Sequence, residues 1–495
     1  MTAIVVPLLG WANPQSVDLT LERREFRLKQ FSSSVGSGRQ NRMTRRVQNN
    51  NHSTTTTTAP SSSSAYEARL TQTYEIPRIG KIKVSLQSES VLGIAQSRGE
   101  RPYQEDFFAL ASLNLDALEL DKTLRRAQDY QRLIANNQAK YRKRTPNNTD
   151  QPSSSHIAQN KDHKQGLLQT LFVGVIDGHG GSDSAEFLSK NLARIIEQSK
   201  LIDIPKVIRK YRSIGGYFRR FRGGFLEEIA QEVYNNNNTD PSRKGEGDDK
   251  DQPRMGVDER LSLSFLLADQ QLISRCPKSG AVTTMALITP LPIEDAEQSR
   301  RIDPHFSSPL LSLVLAHLGD TSALLCSATN GKVLPLTEYH HPDSRVESDR
   351  LRRIGTGLIT DSFGESRWGG SLANSRGLGD AGFKALGVTG EPDIINKIIN
   401  GRDWEFLVLV SDGISNVISN QEIIDLCKRT KSPTEAAKRV VGFAESLGGR
   451  DNMTAIVVPL LGWANPQSVD LTLERREFRL KQFSSSGGSG RQNRM

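Results

Sequence analysis

The chain has 495 residues, 65 Lys and Arg against 56 Asp and Glu, a formal net charge of +9 and 36% hydrophobic residues. That balance describes a globular chain with sizeable polar insertions, long enough for one large core plus extensions or for two domains. No apolar run reaches the ~18–20 residues needed to span a bilayer, and Cys276, Cys326 and Cys427 are too few and too scattered for a disulfide framework.

Residues 1–43 repeat residues 453–495 with one difference, Val35 against Gly487. Such identity is too close for an ancient structural repeat, which retains pattern more than letters. It points to a recent tandem duplication, or to a gene model that joins the tail of one copy to the start of the next. The N-terminal copy begins at the Met that follows Asp451-Asn452 in the other, so it lacks that aspartate. It is expected to be disordered or to compete for the strand slot of residues 454–459. Alone, IVVPLLGWA would pass for a signal-peptide core, but no basic residue precedes it, and in the second copy it reads as a buried strand. Residues 44–75 form a low-complexity leader with Arg45, Arg46, many Ser, Thr and Asn, and no acid before Glu67. An Arg- and Ser-rich, acid-poor leader resembles a mitochondrial transit peptide.

The folded part is predicted over residues 76–463. Apolar runs mark strands at Val91–Ala95, Phe107–Leu113, Leu171–Ile176, Ala281–Ile288, Leu311–Leu318, Ala323–Ser327, Phe406–Val410 and Thr454–Pro459. A capping box of Asp183 and Glu186 is expected to open one helix, and Ser419 with Glu422 another. Ser432-Pro433 with Glu435 opens a third, ended by Gly448-Gly449. Two polar insertions interrupt the pattern, a charged helix and Asn-, Ser- and Gln-rich stretch near 120–166 and a solvated loop near 235–258. Residues 464–495 read as a basic tail. Strands arrive in consecutive groups with few crossovers, which favours antiparallel sheets with segregated helices, an α+β fold.

Five acidic motifs carry the chemistry: Arg101-Pro-Tyr-Gln-Glu105-Asp106, Asp177-Gly178-His179-Gly180-Gly181, Gly319-Asp320, Ser411-Asp412-Gly413 and Asp451-Asn452. Most of these carboxylates stand in a turn beside an apolar run, where desolvation is costly unless a cation or donor meets them. Converging carboxylates with few His and no paired Cys favour hard ions such as Mg²⁺ or Mn²⁺. Singly, each signal is weak: an Asp-Gly after a strand is usually a turn, and a lone His or Arg is usually structural.

In order and wording these motifs resemble the metal-dependent Ser/Thr protein phosphatases of the type 2C family. The matching blocks are RPYQEDFF, FVGVIDGHGG, SGAVTTMALI, AHLGDTSALL, LANSRGLGD, GVTGEPDI, FLVLVSDGISNVISNQEI and GGRDNMTAIVV. The resemblance implies a four-layer α-β-β-α sandwich with two central antiparallel sheets and two Mg²⁺ or Mn²⁺ ions at one end. It implies metal ligation by Glu105, Asp177, the Gly178 carbonyl, Asp412 and Asp451, with Asp177 bridging. Asp106 is implied in an outer shell, and Asp320 in an outer shell or at a third ion. Arg101 would hold the phosphate and His179 would protonate the leaving oxygen, while hydroxide bridging the ions attacks phosphorus with no phosphoenzyme. Arg376 and Asp380 are read as holding the fold.

Departures from the family pattern are Asn416 in place of an Asp, which weakens the implied third ion site, His317 in place of an Asn, and Tyr339 in place of an Asp. The alternative reading is an inactive pseudophosphatase that serves as a binding module, but all the implied ligands are kept. A basic cluster at 205–224, interleaved with aromatics, is read as a solvated face or docking surface rather than a nucleic-acid site. Phosphorylated proteins are the expected partners of a monomer, in mitochondria or otherwise in the cytoplasm.

Overall fold

The computed structural model describes residues 69–76, 80–142, 166–214, 226–231 apart from 228, 254–294, 300–352, 358–360, 366–463 apart from 369 and 371, 470 and 472–486. The duplicated N-terminal copy, most of the leader, residues 143–165 and most of the 235–258 loop therefore lie outside the described residues.

Two antiparallel sheets face each other. One has the strand order Val333–Pro335, Ser322–Ser327, Trp404–Val410, Met453–Pro459, Gly93–Ser97. The other runs Asp393–Asn400, Leu310–Leu318, Gly280–Pro290, Leu167–His179, Phe107–Asp116, with the short Leu378–Gly379 strand pairing onto Gly280–Ala281. Leu171, Val173 and Val175 meet Leu407, Leu409, Ile456 and Val458 between the sheets. Phe172 and Ile176, which alternate with them, point the other way into Leu188, Leu192, Ile196 and Phe265 of the helices Asp183–Gln198 and Val257–Arg275. On the opposite outer face Val408, Val410 and Val457 pack against Ile423, Ile424, Val440 and Val441. The central strands are buried on both faces, which is why they read as continuous apolar runs rather than as alternation. The result is the expected four-layer α+β sandwich. One cross-strand neighbour pair is fitted around a glycine: a Cβ on Gly174 would lie 1.8 Å from the Met285 sulfur, so Met285 would have to move.

All eight predicted strands form. The first is displaced, to Gly93–Ser97, because Val91 and Leu92 are buried in a turn whose amides both bond to the Ser88 carbonyl. The half-buried strand Asp393–Asn400 was not predicted, since its polar Asn and Lys mask the pattern. Of the three caps, Ser419/Glu422 and Ser432 with Pro433 form as expected. The Asp183/Glu186 box does not: Ser182 is the cap residue in helical backbone, and the Glu186 carboxylate pairs with Lys190 one turn on. The helix starts there regardless, because its buried stripe decides its position.

Order extends beyond both ends of the predicted 76–463 span. The first strand of a hairpin, Thr71–Ile76, falls almost wholly in the predicted leader; it pairs with Gly80–Ser85 of the folded part and is tied to the core by Thr73 N–H donating to Gln169 Oε1 at 2.9 Å. A helix, Leu473–Ser486, falls in the predicted tail. It docks through Arg479, which forks onto Glu422 at 2.6 and 2.7 Å and donates to the Val417 carbonyl at 2.6 Å. Thr472 Oγ1 adds a 2.9 Å bond to Asp425. These contacts are long-range, and Phe483 of the same helix lies against Gly448, so no local pattern announced it. The predicted charged helix of the first insertion spans Ala117–Arg142, and the second insertion ends earlier than read, because Val257 and Asp258 already belong to the helix Val257–Arg275. Within the basic cluster, Tyr211 is not an exposed aromatic. It is buried, with its hydroxyl on Asp269, and Arg212 pairs with Glu227.

Phe172→Ala should lower stability by about 3–5 kcal/mol, by loss of transfer energy and the cavity left. Denaturant unfolding should show a lower midpoint at unchanged slope.

Candidate active site

The ends of strands from both sheets converge at one edge of the sandwich. Asp177, Gly178 and His179 finish the Leu167–His179 strand. Asp320 sits in the turn between Leu310–Leu318 and Ser322–Ser327, after Gly319, whose φ of +104° suits glycine alone. Asp412 begins a one-turn helix directly after the Trp404–Val410 strand, and Asp451-Asn452 precede Met453–Pro459. Glu105 and Asp106 precede Phe107–Asp116. Each carboxylate is thus fixed by a buried strand and aimed by a short turn.

Asp177, Asp320 and Asp412 offer oxygen atoms that all lie within 4.8 Å of one another. Asp320 therefore stands in the same tight group as Asp177 and Asp412. Its Oδ2 accepts from the Asn374 amide at 2.9 Å, while its buried Oδ1 has no partner among the described residues. Asn416 donates to Asp412 Oδ2 at 3.2 Å, so the amide that replaces an Asp turns toward the cluster. Burial, then the charges of Asp106, Asp412 and Asp320, push the Asp177 carboxyl well above its ordinary range. Burial, then Asp320 and Asp451, raise Asp412 to about 7. Burial raises Asp320 as well, against the opposing Asn374 bond. Crowded, desolvated negative charge of this kind is costly and favours a bound cation. An all-oxygen donor set with an orphaned buried lone pair fits a hard divalent cation and suits neither soft nor sulfur-seeking metals.

Around this group the remaining motif residues are engaged by the protein itself. Glu105 Oε1 accepts from Gly181 N–H at 2.7 Å, and Glu105 N–H donates to Asn452 Oδ1 at 2.6 Å. Gly178 packs so closely that a Cβ would lie 2.5 Å from the Glu105 carbonyl oxygen. Asp451 pairs with Arg101 at 2.7 Å, with the two side chains 40% and 52% exposed. A pair that exposed is worth about 1 kcal/mol or less and yields easily to a better anion. Asp106 is buried, and its Oδ2 accepts from Ser411 Oγ at 2.7 Å and Thr454 Oγ1 at 2.8 Å. Burial raises it to about 6 despite those two donors. It clamps the loops bearing Glu105 and Asp412 together.

His179 is held by a partner that the sequence reading assigned to the fold. Its Nε2 lies 2.8 Å from Asp380 Oδ1. Burial pulls the imidazole down, but the bond and charge of Asp380, with Asp320 and Glu105, outweigh it and leave the pKa above its usual value. Gly280 makes room: a Cβ there would lie 2.3 Å from Asp380 Oδ1 and 2.4 Å from His179 Nε2. Asp380 itself adopts φ +49°, uncommon for a residue with a side chain, in a turn anchored from below. Gly379 N–H donates to Asp269 Oδ1 at 2.7 Å, and Lys384 Nζ lies 2.9 Å from Asp269 Oδ2. Nothing in the one-dimensional pattern flags this; only the left-handed turn and the close approach of both side chains to Gly280 reveal it. Arg376, by contrast, does brace the fold as read, pairing with Glu347 and Asp393 at 2.6 Å each.

The crowding has a measurable sign. For Asp412 the folded pKa, about 7, exceeds the ordinary 3.8, so the folded state binds more protons between those values and loses stability as pH rises through that window. Without divalent ions, Asp412→Asn should therefore gain stability relative to the unaltered protein between pH 4 and pH 8. Mn²⁺ at a hundredfold excess over its Kd should add about 2.7 kcal/mol to the unaltered protein and far less to the variant, read by thermal unfolding. An unchanged difference across pH would refute the account.

A family model described as Protein phosphatase 2C matches residues 208–453. Protein phosphatase 2C homolog 4 of Schizosaccharomyces pombe is 35% identical over 341 residues, covering 67% of this chain and 82% of that protein. Protein phosphatase 1K, mitochondrial, of Xenopus laevis is 36% identical over 177 residues, 36% of this chain and 46% of its own length. Probable protein phosphatase 2C 17 of Arabidopsis thaliana is 38% identical over 148 residues, 30% of this chain and 50% of its own length. With acidic turns converging as the motif order requires, and one relative matched across four-fifths of its length, the chain belongs to the protein phosphatase 2C family and is a protein serine/threonine phosphatase.

Proposed function

We propose that the chain hydrolyses phosphoserine and phosphothreonine in proteins by direct attack of hydroxide on phosphorus, with two Mg²⁺ or Mn²⁺ ions and no phosphoenzyme. The observation that carries this reading is the packing of Asp177, Asp320 and Asp412 oxygens within 4.8 Å of one another beside the exposed Arg101. Glu105, Asp177, Asp412, Asp451 and the Gly178 carbonyl would hold the two ions, with Asp320 supporting them or serving a further, weaker ion beside the neutral Asn416. When bound, such ions supply hydroxide from water near neutral pH and offset the charge of the phosphate.

The side chains have separate tasks. Arg101 exchanges Asp451 for phosphate oxygens, which its planar fork can engage in pairs. His179 gives a proton to the departing seryl or threonyl oxygen, and Asp380 holds the ring for that transfer. Asp106 keeps the two ligand-bearing loops in register. The catalytic region is taken as residues 76–463. With every implied ligand retained, a pseudophosphatase is not favoured. Mitochondrial residence is supported by the Arg- and Ser-rich leader and by the names of two relatives, from Xenopus laevis and from rice.

The decisive measurement is Mn²⁺-dependent phosphate release from a phosphothreonine peptide. Asp412→Ala should abolish it to within background, and equal turnover by that variant would overturn the metal assignment. Asp380→Asn should cost roughly 10- to 100-fold on the same peptide, in line with other groups that orient reacting side chains. It should cost much less on an aryl phosphate, whose leaving group departs without a proton. Equal losses on both substrates would remove Asp380 from its positioning role.

A further inference from the structure

The loop between the strands Gly93–Ser97 and Phe107–Asp116 combines a pinned backbone with a free aromatic side chain. Glu100 N–H donates to the Arg450 carbonyl at 2.9 Å, and Asn452 Nδ2 donates to the carbonyls of Arg98 and Tyr103 at 2.9 and 3.1 Å. Gly99, at φ +59°, passes so near that a Cβ would lie 2.3 Å from the Asp451 carbonyl oxygen. The loop is therefore fastened along its length to the segment that carries Asp451. Yet Tyr103 is 75% exposed, the most exposed large apolar side chain among the described residues. It stands two residues after Arg101 and two before Glu105.

A Tyr ring left in water on a rigid backbone is an unused contact surface, and it has only two side-chain torsions to lose on binding. A phosphorylated side chain that reaches Arg101 brings its own main chain and neighbouring residues to the rim of the site. Tyr103 lies in the same loop as Arg101, with its backbone carbonyl held by Asn452 and most of its surface exposed. We propose that Tyr103 is a specificity-determining residue, whose ring takes the peptide segment flanking the phosphorylated Ser or Thr. This rests on the phosphatase reading above and extends it from the phosphate to the polypeptide that bears it. The ring face, rather than the hydroxyl, supplies the contact, so an apolar neighbour of the phosphorylated residue is favoured.

The test compares a phosphothreonine peptide having an apolar residue beside the phosphorylated one with p-nitrophenyl phosphate, which has no flanking chain. Tyr103→Ala should raise KM for the peptide about tenfold with kcat little changed, while p-nitrophenyl phosphate hydrolysis stays within about twofold. Tyr103→Phe should keep the peptide KM. An unaltered peptide KM in Tyr103→Ala overturns the proposal, and so does a parallel loss on both substrates, which marks a structural role. Absence of metal-dependent hydrolysis of either substrate by the unaltered protein would instead strike the catalytic reading itself.

Discussion

Mutual repulsion among buried carboxylates is the constraint around which this molecule is built. Asp177, Asp320 and Asp412 are brought within a few ångströms of one another close to the ends of three buried strands. Left alone, such a group would splay apart or take up protons. It stays together because each aspartate lies within two residues of the end of a buried strand, which fixes its position. The Leu167–His179 strand, for example, has Phe172 packed on one side and Val173 on the other. Stability made in the sandwich is thus used to hold a destabilising arrangement at its edge, a common property of functional sites.

Two buried polar networks brace the turns that the strands alone would leave loose. Under Gly319-Asp320, His340 accepts the Gly319 N–H at Nδ1, 2.9 Å away, and so must donate from Nε2 to Asp393, at 3.0 Å. Asp393 in turn is held by Arg376, which also grips Glu347. Burial raises the Glu347 carboxyl, but Arg376 and Arg350 outweigh it and bring its pKa to about 2. His317 stacks on His340 with ring centroids 4.7 Å apart and donates from Nε2 to the Glu338 carbonyl. An imidazole at this position is accommodated within the network and touches none of the clustered carboxylates through a described bond. Under Gly379-Asp380, the buried Asp269 gathers the Gly379 amide, Lys384 and the Tyr211 hydroxyl. That second network ties the Ile204–Ile214 helix, which carries part of the basic cluster, to the residue that holds His179. Removing one partner from such a buried pair typically costs 3–5 kcal/mol.

The readings that survived contact with the structure share a cause, and so do those that did not. Strands such as Leu311–Leu318 and Phe406–Val410 were legible because a doubly buried strand must be apolar throughout. The Ser419 and Ser432 caps were legible because a cap is a local bargain between a side chain and amides three residues away. The Asp183 cap failed because Glu186 found Lys190 instead. The helix Leu473–Ser486 and the Thr71–Ile76 hairpin were missed because what secures them, Arg479 on Glu422 and Thr73 on Gln169, joins residues 57 and 96 positions apart. Tyr211 was grouped with its basic neighbours in sequence, whereas helical geometry turns it inward.

By itself the sequence determined the doubly buried strands, two of the helix caps and the order of the acidic turns, because strand burial, capping and turn chemistry are written in neighbouring residues. It also carried the expectation of a hard divalent ion, since donor type alone favours one over a soft metal. Only the tertiary structure decided which carboxylates crowd together, that Asp320 stands among them, and that Asp380 reaches His179 across the space left by Gly280. Those are distances between residues scores or hundreds of positions apart. Electrostatic coupling and hydrogen bonding depend on such distances, which no local pattern encodes.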